Sequence, residues 1–445
     1  MDFSAELAHR LQFAFTITYH YLFPQLTMGL ALIIVIFKAI ALRTRDPIAA
    51  AAVTFWIRVF ALAFVMGVVT GIPMEFQFGT NWARFAEGGG AVIGQLLAME
   101  GVFAFFLESA FLGLVLAGER RVGPRLHAIA CVCVWLGSWT SGFFIVATNA
   151  WMQRPVGYVF TADGGLELSS LGALLTNEWL VWQYPHVILG ALVTGGAVVA
   201  AIGALYTLLE RHREHARAYL RVGVTVGALA ALLAAFPTGD MQAKNVLAHQ
   251  PVTFAAMEGH FHSERGAPMV LVGQPDMERR RLDNAIAVPN ILSLMTHYRW
   301  DSEIRGLDEW PVDEWPDNVP LLYYAYHIMV GLGTVLLAAL GGALLLLRGD
   351  RLLRWRWPLW ILTLCAPLPF IANTAGWITA EAGRQPWLIY GLMRTAEGTS
   401  PHVSAGNVLF SLLGFMGLYA LLSLLFVALL LRILAKGPGN TEEHA

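Results

Sequence analysis

Long apolar runs separated by polar segments set the pattern of this chain. A helix needs roughly 20 apolar residues to cross about 30 Å of hydrocarbon. Nine runs qualify, at about 13–37, 53–74, 93–117, 126–148, 184–209, 220–237, 321–347, 357–380 and 406–431, the sixth being the shortest. Runs of this kind exclude an outer-membrane barrel, whose strands alternate over about 10 residues each. The pattern predicts an all-α integral membrane protein, a bundle of nine transmembrane helices forming one transmembrane domain over residues 1–445. The N-terminal segment MDFSAELAHRLQFAF carries Asp2 and Glu6 and has no A-x-A site, so it reads as the approach to the first helix and not as a signal peptide. One polar stretch, 238–319, is long and rich in charge, Pro and Trp, yet holds the apolar segments PMVLVGQP and AIAVPNILSL. Loops of that length are uncommon unless functional, which predicts a partly folded lid or substrate-binding segment.

Composition agrees with the pattern. Of 445 residues, 57% are hydrophobic and 13% charged, with a mean hydropathy of +0.58, whereas soluble domains carry roughly 25% charged residues. The balance of 29 basic and 31 acidic residues leaves −2, so nothing marks a nucleic-acid partner. Cys131, Cys133 and Cys365 all lie in apolar runs and form no CxxC, haem-attachment or disulfide pattern. Lys and Arg set the orientation. Seventeen of the twenty-nine fall on one side of the nine runs; of the other twelve, seven lie in the long loop, which the rule discounts. This places the N-terminus and the long loop outside and the C-terminus in the cytoplasm.

Ionisable groups inside a bilayer are expensive and point to function. Few occur here: His20 in the first run, Glu100 and Glu108 in the third, His186 at the start of the fifth, His327 early in the seventh and Glu381 closing the eighth. On an ideal helix Glu100 and Glu108 project about 80° apart and roughly 12 Å along the axis, a spacing open to a proton path, a metal or pairing with cations. Histidines on separate helices accompanied by Met suggest haem, whose iron takes imidazole or a Met/His pair. His327 and Met329 are about 200° apart around a helix, so only one of the two faces any one cofactor. The glycine-rich strings GALVTGG and GLGTVLLAALGG lie inside runs, where small residues allow close helix packing, and neither is a phosphate loop.

Six segments carry a resemblance: RLQFAFTITYHYLFPQLTMG (10–29), TGIPMEFQFGTNW (70–82), MEGVFAFFLES (99–109), NAWMQRPVG (149–157), PLLYYAYHIMV (320–330) and AGWITAEAGRQPW (375–387). Over essentially its whole length the chain resembles subunit I of the cytochrome bd-type terminal quinol oxidases, of the short quinol-loop kind. The resemblance implies a bacterial cytoplasmic-membrane enzyme that oxidises quinol, ubiquinol or menaquinol, in the outside loop and reduces O2 to water with protons from the inside. It implies three haems, two of type b and a third that is d or b. His186 and Met329 match the axial ligands of the low-spin haem b, and His20 and Glu381 match ligands in the high-spin pair. Arg384 and Trp377 match residues lining the haems. Glu100 matches a carboxylate beside the high-spin pair, Glu108 one that delivers protons, and Glu258 a quinol-site residue. Implied partners are a second membrane subunit of similar fold or a related copy, membrane lipid and, in some members, a small single-helix subunit.

Two positions depart from the resembled pattern. In QPVTFAAMEGHF, Thr253 stands where the family often has Lys, and His327 stands two residues before Met329 where Arg is common. Each departure removes a fixed cation from the quinol and low-spin haem region. Two other classes are a haem-bearing electron-transfer subunit that does not reduce O2, and a secondary transporter. The first lacks a use for the His20 and Glu381 pair. The second requires paired broken helices in two related halves, and none is visible.

Overall fold

The computed structural model describes residues 4–162 and 164–439. Among them, nine helices are long and apolar enough to cross a membrane: α1 (Ala5–Thr44), α2 (Pro47–Thr80), α3 (Ala83–Ala117), α4 (Pro124–Gln153), α5 (Glu178–Leu208), α6 (Arg213–His249), α7 (Val319–Leu346), α8 (Arg356–Arg384) and α9 (Ala405–Lys436). Their starts follow local chemistry. Asp46 accepts from the Ile48 amide ahead of Pro47, Asn177 caps α5 through the Trp179 amide, and Asn318 caps α7 through the Leu321 amide.

The helices outrun the apolar runs, because a helix continues past the hydrocarbon wherever its backbone bonds remain satisfied. The sixth run was expected to end at 237. Instead Phe236 leaves helical geometry locally (φ −139°, ψ 123°) and α6 resumes to His249. The first turns of the segment expected as loop are therefore helix. The eighth run, expected as one helix, is two pieces, Arg356–Leu364 and Leu368–Arg384. Within α3, residues Glu100–Phe105 form a π-helical turn. That turn overturns the 80° separation of Glu100 and Glu108, which assumed uninterrupted α geometry.

α5 is the central helix, with 72% of its most apolar stretch buried, against 6% for α9. Glycine permits the tightest approaches. A Cβ on Gly195 would lie 2.8 Å from the carbonyl carbon of Gly29 on α1, and one on Gly196 would lie 2.6 Å from Gly227 Cα on α6. The packing role expected of GALVTGG is thus met. It is not met by GLGTVLLAALGG: Cβ atoms on Gly331, Gly333, Gly341 and Gly342 would meet nothing within 4 Å among the described residues.

Between α6 and α7 the chain folds over a small apolar core of its own, in which Phe254, Phe261, Leu292, Ile304, Leu307 and Trp315 are buried together with Leu322 of α7. It contains the short helix Pro251–Glu258 and an antiparallel hairpin of β1 (Met269–Asp276) and β2 (Arg281–Val288).

The glycine contacts yield a direct comparison. Gly196→Ala places a methyl group against the α6 backbone and should destabilise the protein by about 1–3 kcal/mol, while Gly342→Ala should stay within about 0.5 kcal/mol of the parent. Thermal unfolding in detergent checks this, and equal midpoints for the two variants would contradict the packing described.

Candidate functional site

Two spans carry a histidine beside an irregular backbone. Pro24 has no amide hydrogen to offer the α1 ladder, so the Phe23 amide takes the His20 carbonyl at 3.1 Å and the helix breaks at Leu22 and Phe23. The His20 ring lies against α2, where a Cβ on Gly71 would come within 3.0 Å of Cε1. Its Nδ1 is 3.0 Å from the Thr70 hydroxyl, which itself donates to the Met66 carbonyl at 2.7 Å. With that hydroxyl hydrogen committed, Nδ1 is the donor, and Nε2 keeps its lone pair.

His186 repeats the device on α5, immediately after Pro185. Its Nδ1 lies 3.3 Å from the Thr238 hydroxyl, which donates to the Leu233 carbonyl at 3.0 Å in the disturbed turn of α6. Again Nε2 is left as the electron-pair donor. Met329 on α7 packs on α8, its Sδ 2.7 Å from where a Cβ on Gly376 would stand. One turn away, Asn373 donates to Gln25 (2.9 Å) and Thr194 (3.0 Å), so α8 is held between the helices bearing His186 and Met329. His327 points elsewhere: its ring nitrogens lie 2.9 Å from the Tyr323 carbonyl and 3.1 Å from the Val270 carbonyl of β1.

The C-terminal turn of α8 gathers charge. Glu381 accepts from Asn149 of α4 and, at 2.5 Å, from Arg384 Nη2. Asn149 is in turn fixed by Gln183 at 2.8 Å. Arg384 is 2% exposed and its Nη1 is buried without a partner among the described residues. Trp377, one turn before Glu381, packs edge-on against Tyr21 at 5.7 Å, which ties this turn to the helix of His20. The structure thus joins Trp377, Glu381 and Arg384 in one group and links His20 to it through Tyr21.

Glu100 and Glu108 lie along α4 from that group. Ser141 of α4 donates to Glu100 at 2.6 Å, and Glu108 is buried where Gly137 lets the two helices meet, a Cβ there falling 3.0 Å from the Glu108 amide nitrogen. One helix therefore serves both the carboxylates of α3 and that of α8.

Glu258 ends its short helix 4% exposed. Burial pushes its carboxyl up to about 7, opposed by the adjacent Tyr326 hydroxyl. Thr253, on the same helix, donates to the Gly383 carbonyl at 2.7 Å, and Gln250 donates to Gln153 of α4 at 2.9 Å. The helix of Glu258 is thereby fastened to the turn that holds Arg384.

The donor set fits haem. Among the described residues no cluster of three or more His, Cys, Asp or Glu side chains is placed to hold a bare ion, whereas a porphyrin supplies four nitrogens and asks the protein only for axial ligands. The orphaned Arg384 Nη1 suits a propionate carboxylate, since a buried unpaired guanidinium donor is costly. Sequence reasoning missed Thr70, Thr238, Ser141, Asn149 and Gln183. Asn149 directly follows the fourth apolar run and Gln183 directly precedes the fifth, where polar residues are expected and stand out for nothing. Thr and Ser in a span satisfy themselves on their own helix and give no signal.

The comparisons with known proteins converge. The profile of the family described as cytochrome bd terminal oxidase subunit I matches residues 8–438. The chain is 35% identical over 447 residues to cytochrome bd ubiquinol oxidase subunit 1 of Bacillus subtilis, covering 98% of this chain and 94% of that one. It is 31% identical over 501 residues to cytochrome bd-II ubiquinol oxidase subunit 1 of Escherichia coli, covering 98% and 97%. The solved bd oxidase from Geobacillus thermodenitrificans superposes with a TM-score of 0.90 at 29% identity, covering 98% of this chain and 99% of that chain.

The Glu258 environment sets a pH dependence of stability. A carboxyl raised from its ordinary value near 4.5 to about 7 in the fold binds its proton more tightly folded than unfolded, so its contribution declines as pH rises from about 4.5 to 7 and is flat above. Glu258→Gln removes that decline. Thermal midpoints at pH 5 and pH 8 should show the variant gaining on the parent at the higher pH; a constant difference contradicts the burial.

Proposed function

This chain belongs to the cytochrome bd terminal oxidase subunit I family and is the haem-carrying subunit of a membrane quinol:oxygen oxidoreductase that works with a second subunit in a bacterial inner membrane; from that premise we propose how its side chains divide the work. His186 and Met329 hold a low-spin haem b, and His20 and Glu381 hold irons of a high-spin pair made of a haem b and a third haem of type d or b. The observation that carries this assignment is the matched tautomer of the two histidines, each with Nδ1–H spent on a threonine hydroxyl and Nε2 free. Haem bound at these ligands supplies one-electron transfer and the iron at which oxygen is reduced.

The protein's own part is to position groups and move protons. Arg384 directs its unpaired Nη1 to a propionate while Nη2 steadies Glu381. Trp377 holds the α8 turn against α1. Glu258 accepts a proton from quinol at the outer face, in keeping with the Lys and Arg count that places the N-terminus outside and the C-terminus in the cytoplasm. Glu108 and Glu100 carry protons from the inner side along α4, with Ser141 on the route. Protons released outside and consumed from inside separate charge across the membrane without a pump. The exposed faces of α7 and α9 are left for lipid, for the second subunit and for any small single-helix subunit.

The test is a reduced-minus-oxidised spectrum of the purified complex together with oxygen uptake on quinol. His186→Ala should lose the low-spin signal and keep a ligand-reactive high-spin one. Glu108→Gln should keep every haem signal while turnover falls by roughly tenfold or more, since removing a proton-transfer group commonly costs 10²-fold. Full activity in Glu108→Gln contradicts the proton route.

A further inference from the structure

Tyr323 is 1% exposed, and its hydroxyl is buried without a hydrogen-bond partner among the described residues. An unpaired buried hydroxyl is destabilising, and native structures rarely leave one without a reason. The surroundings hold this phenol in place. Its ring lies over His327 with centroids 4.0 Å apart at 32°, and its edge fills the space beside Gly259, where a Cβ would come within 2.9 Å of Cδ2 and Cε2. Gly259 directly follows Glu258 and adopts φ +66°, and the phenol shares the space beside it with Leu282 of β2, whose Cδ2 would lie 2.8 Å from that Cβ. The hydroxyl points toward β1, 2.9 Å from where a Cβ on Gly273 would stand. The same strand is pinned to α7 by the bond from His327 to the Val270 carbonyl. An orphaned hydroxyl and a buried carboxyl therefore lie beneath one hairpin, and on the strand side Gly273 presents no side chain, the Val270 and Leu282 side chains lying 3.3 and 3.5 Å from where its Cβ would stand.

We infer that the Tyr323 hydroxyl is the second hydrogen-bonding pole of the quinol site, binding one headgroup oxygen while Glu258 faces the other; this rests on the assignment of Glu258 to quinol. A quinol headgroup carries two oxygens on opposite sides of a ring, and a site that must retain both quinol and quinone needs a partner able both to donate and to accept. A phenol does both; the fixed cation resembled relatives place near here only donates. Tyr323 is a binding residue in this scheme and neither gains nor loses a proton over the cycle.

Tyr323→Phe keeps the ring packing and removes only the hydroxyl. In the intact complex with a short-chain quinol, KM should rise roughly fivefold to tenfold with kcat within about twofold, while the haem spectrum and oxygen uptake on an artificial one-electron donor stay unchanged. Gly273→Ala, which crowds the hydroxyl from the hairpin, should raise KM in the same way, and it decides the matter if Tyr323→Phe fails to assemble. A parental KM in the assembled Tyr323→Phe, or in Gly273→Ala where that variant decides, overturns the inference. Glu258→Gln, run in parallel, separates the two readings. If it impairs quinol oxidation while the phenol-directed variants do not, only the role of Tyr323 falls; if it leaves quinol oxidation intact, the site itself lies elsewhere.

Discussion

In hydrocarbon no water is available to satisfy a polar group, so every polar side chain in a span needs a partner from another helix or a bound molecule. That constraint organises this subunit. Asn149, Ser141 and Gln153 all project from α4, and each meets a different neighbour: Glu381 of α8, Glu100 of α3, and Gln250 ahead of the Glu258 helix. Aligning the spans by these bonds brings Glu381, Glu100 and the helix of Glu258 to one helix as common support. The glycine contacts of α5 with α1 and α6 then complete the packing without competing for polar partners.

The same constraint explains what could be read from the chain. Apolar length reveals nine spans because nothing else in a protein demands 20 apolar residues, and the scarcity of charge within them isolates Glu100, Glu108 and Glu381. Helix ends were misplaced because backbone bonding, unlike side-chain polarity, does not change at the membrane surface. The π-helical turn at Glu100–Phe105 has no signature in the sequence, since EGVFAF departs from α geometry only in hydrogen-bond register. Thr70 and Thr238 were equally silent: each hydroxyl bonds its own helix as any buried threonine does, and only the approach of an imidazole from another span turns that bond into a tautomer constraint. GLGTVLLAALGG shows the converse: its small residues permit a close approach, and none of the described residues makes one.

Two departures from the resembled pattern acquire a structural meaning. Where a Lys is common, Thr253 bonds the Gly383 carbonyl, and where an Arg is common, His327 bonds the Val270 carbonyl. In both places a position where a fixed cation is common makes a short contact between the segment joining α6 to α7 and a membrane-spanning helix. A contact of this kind acts only at hydrogen-bond distance, whereas the pull of an exposed fixed cation reaches over several ångströms and is screened by salt.

The sparse burial of α9 bears on what must surround the protein. This helix has 6% of its most apolar stretch buried against the rest of the described residues, with Phe410, Leu413, Leu421 and Leu424 facing outward. Its inner edge is anchored, with Tyr419 buried and stacked on Tyr19 at 4.4 Å and the Leu434 carbonyl accepting from Tyr206 at 2.8 Å. The outward face has no such cover among the described residues, so its apolar side chains must be solvated by lipid tails or by another chain, and a subunit made alone leaves that surface to the bilayer.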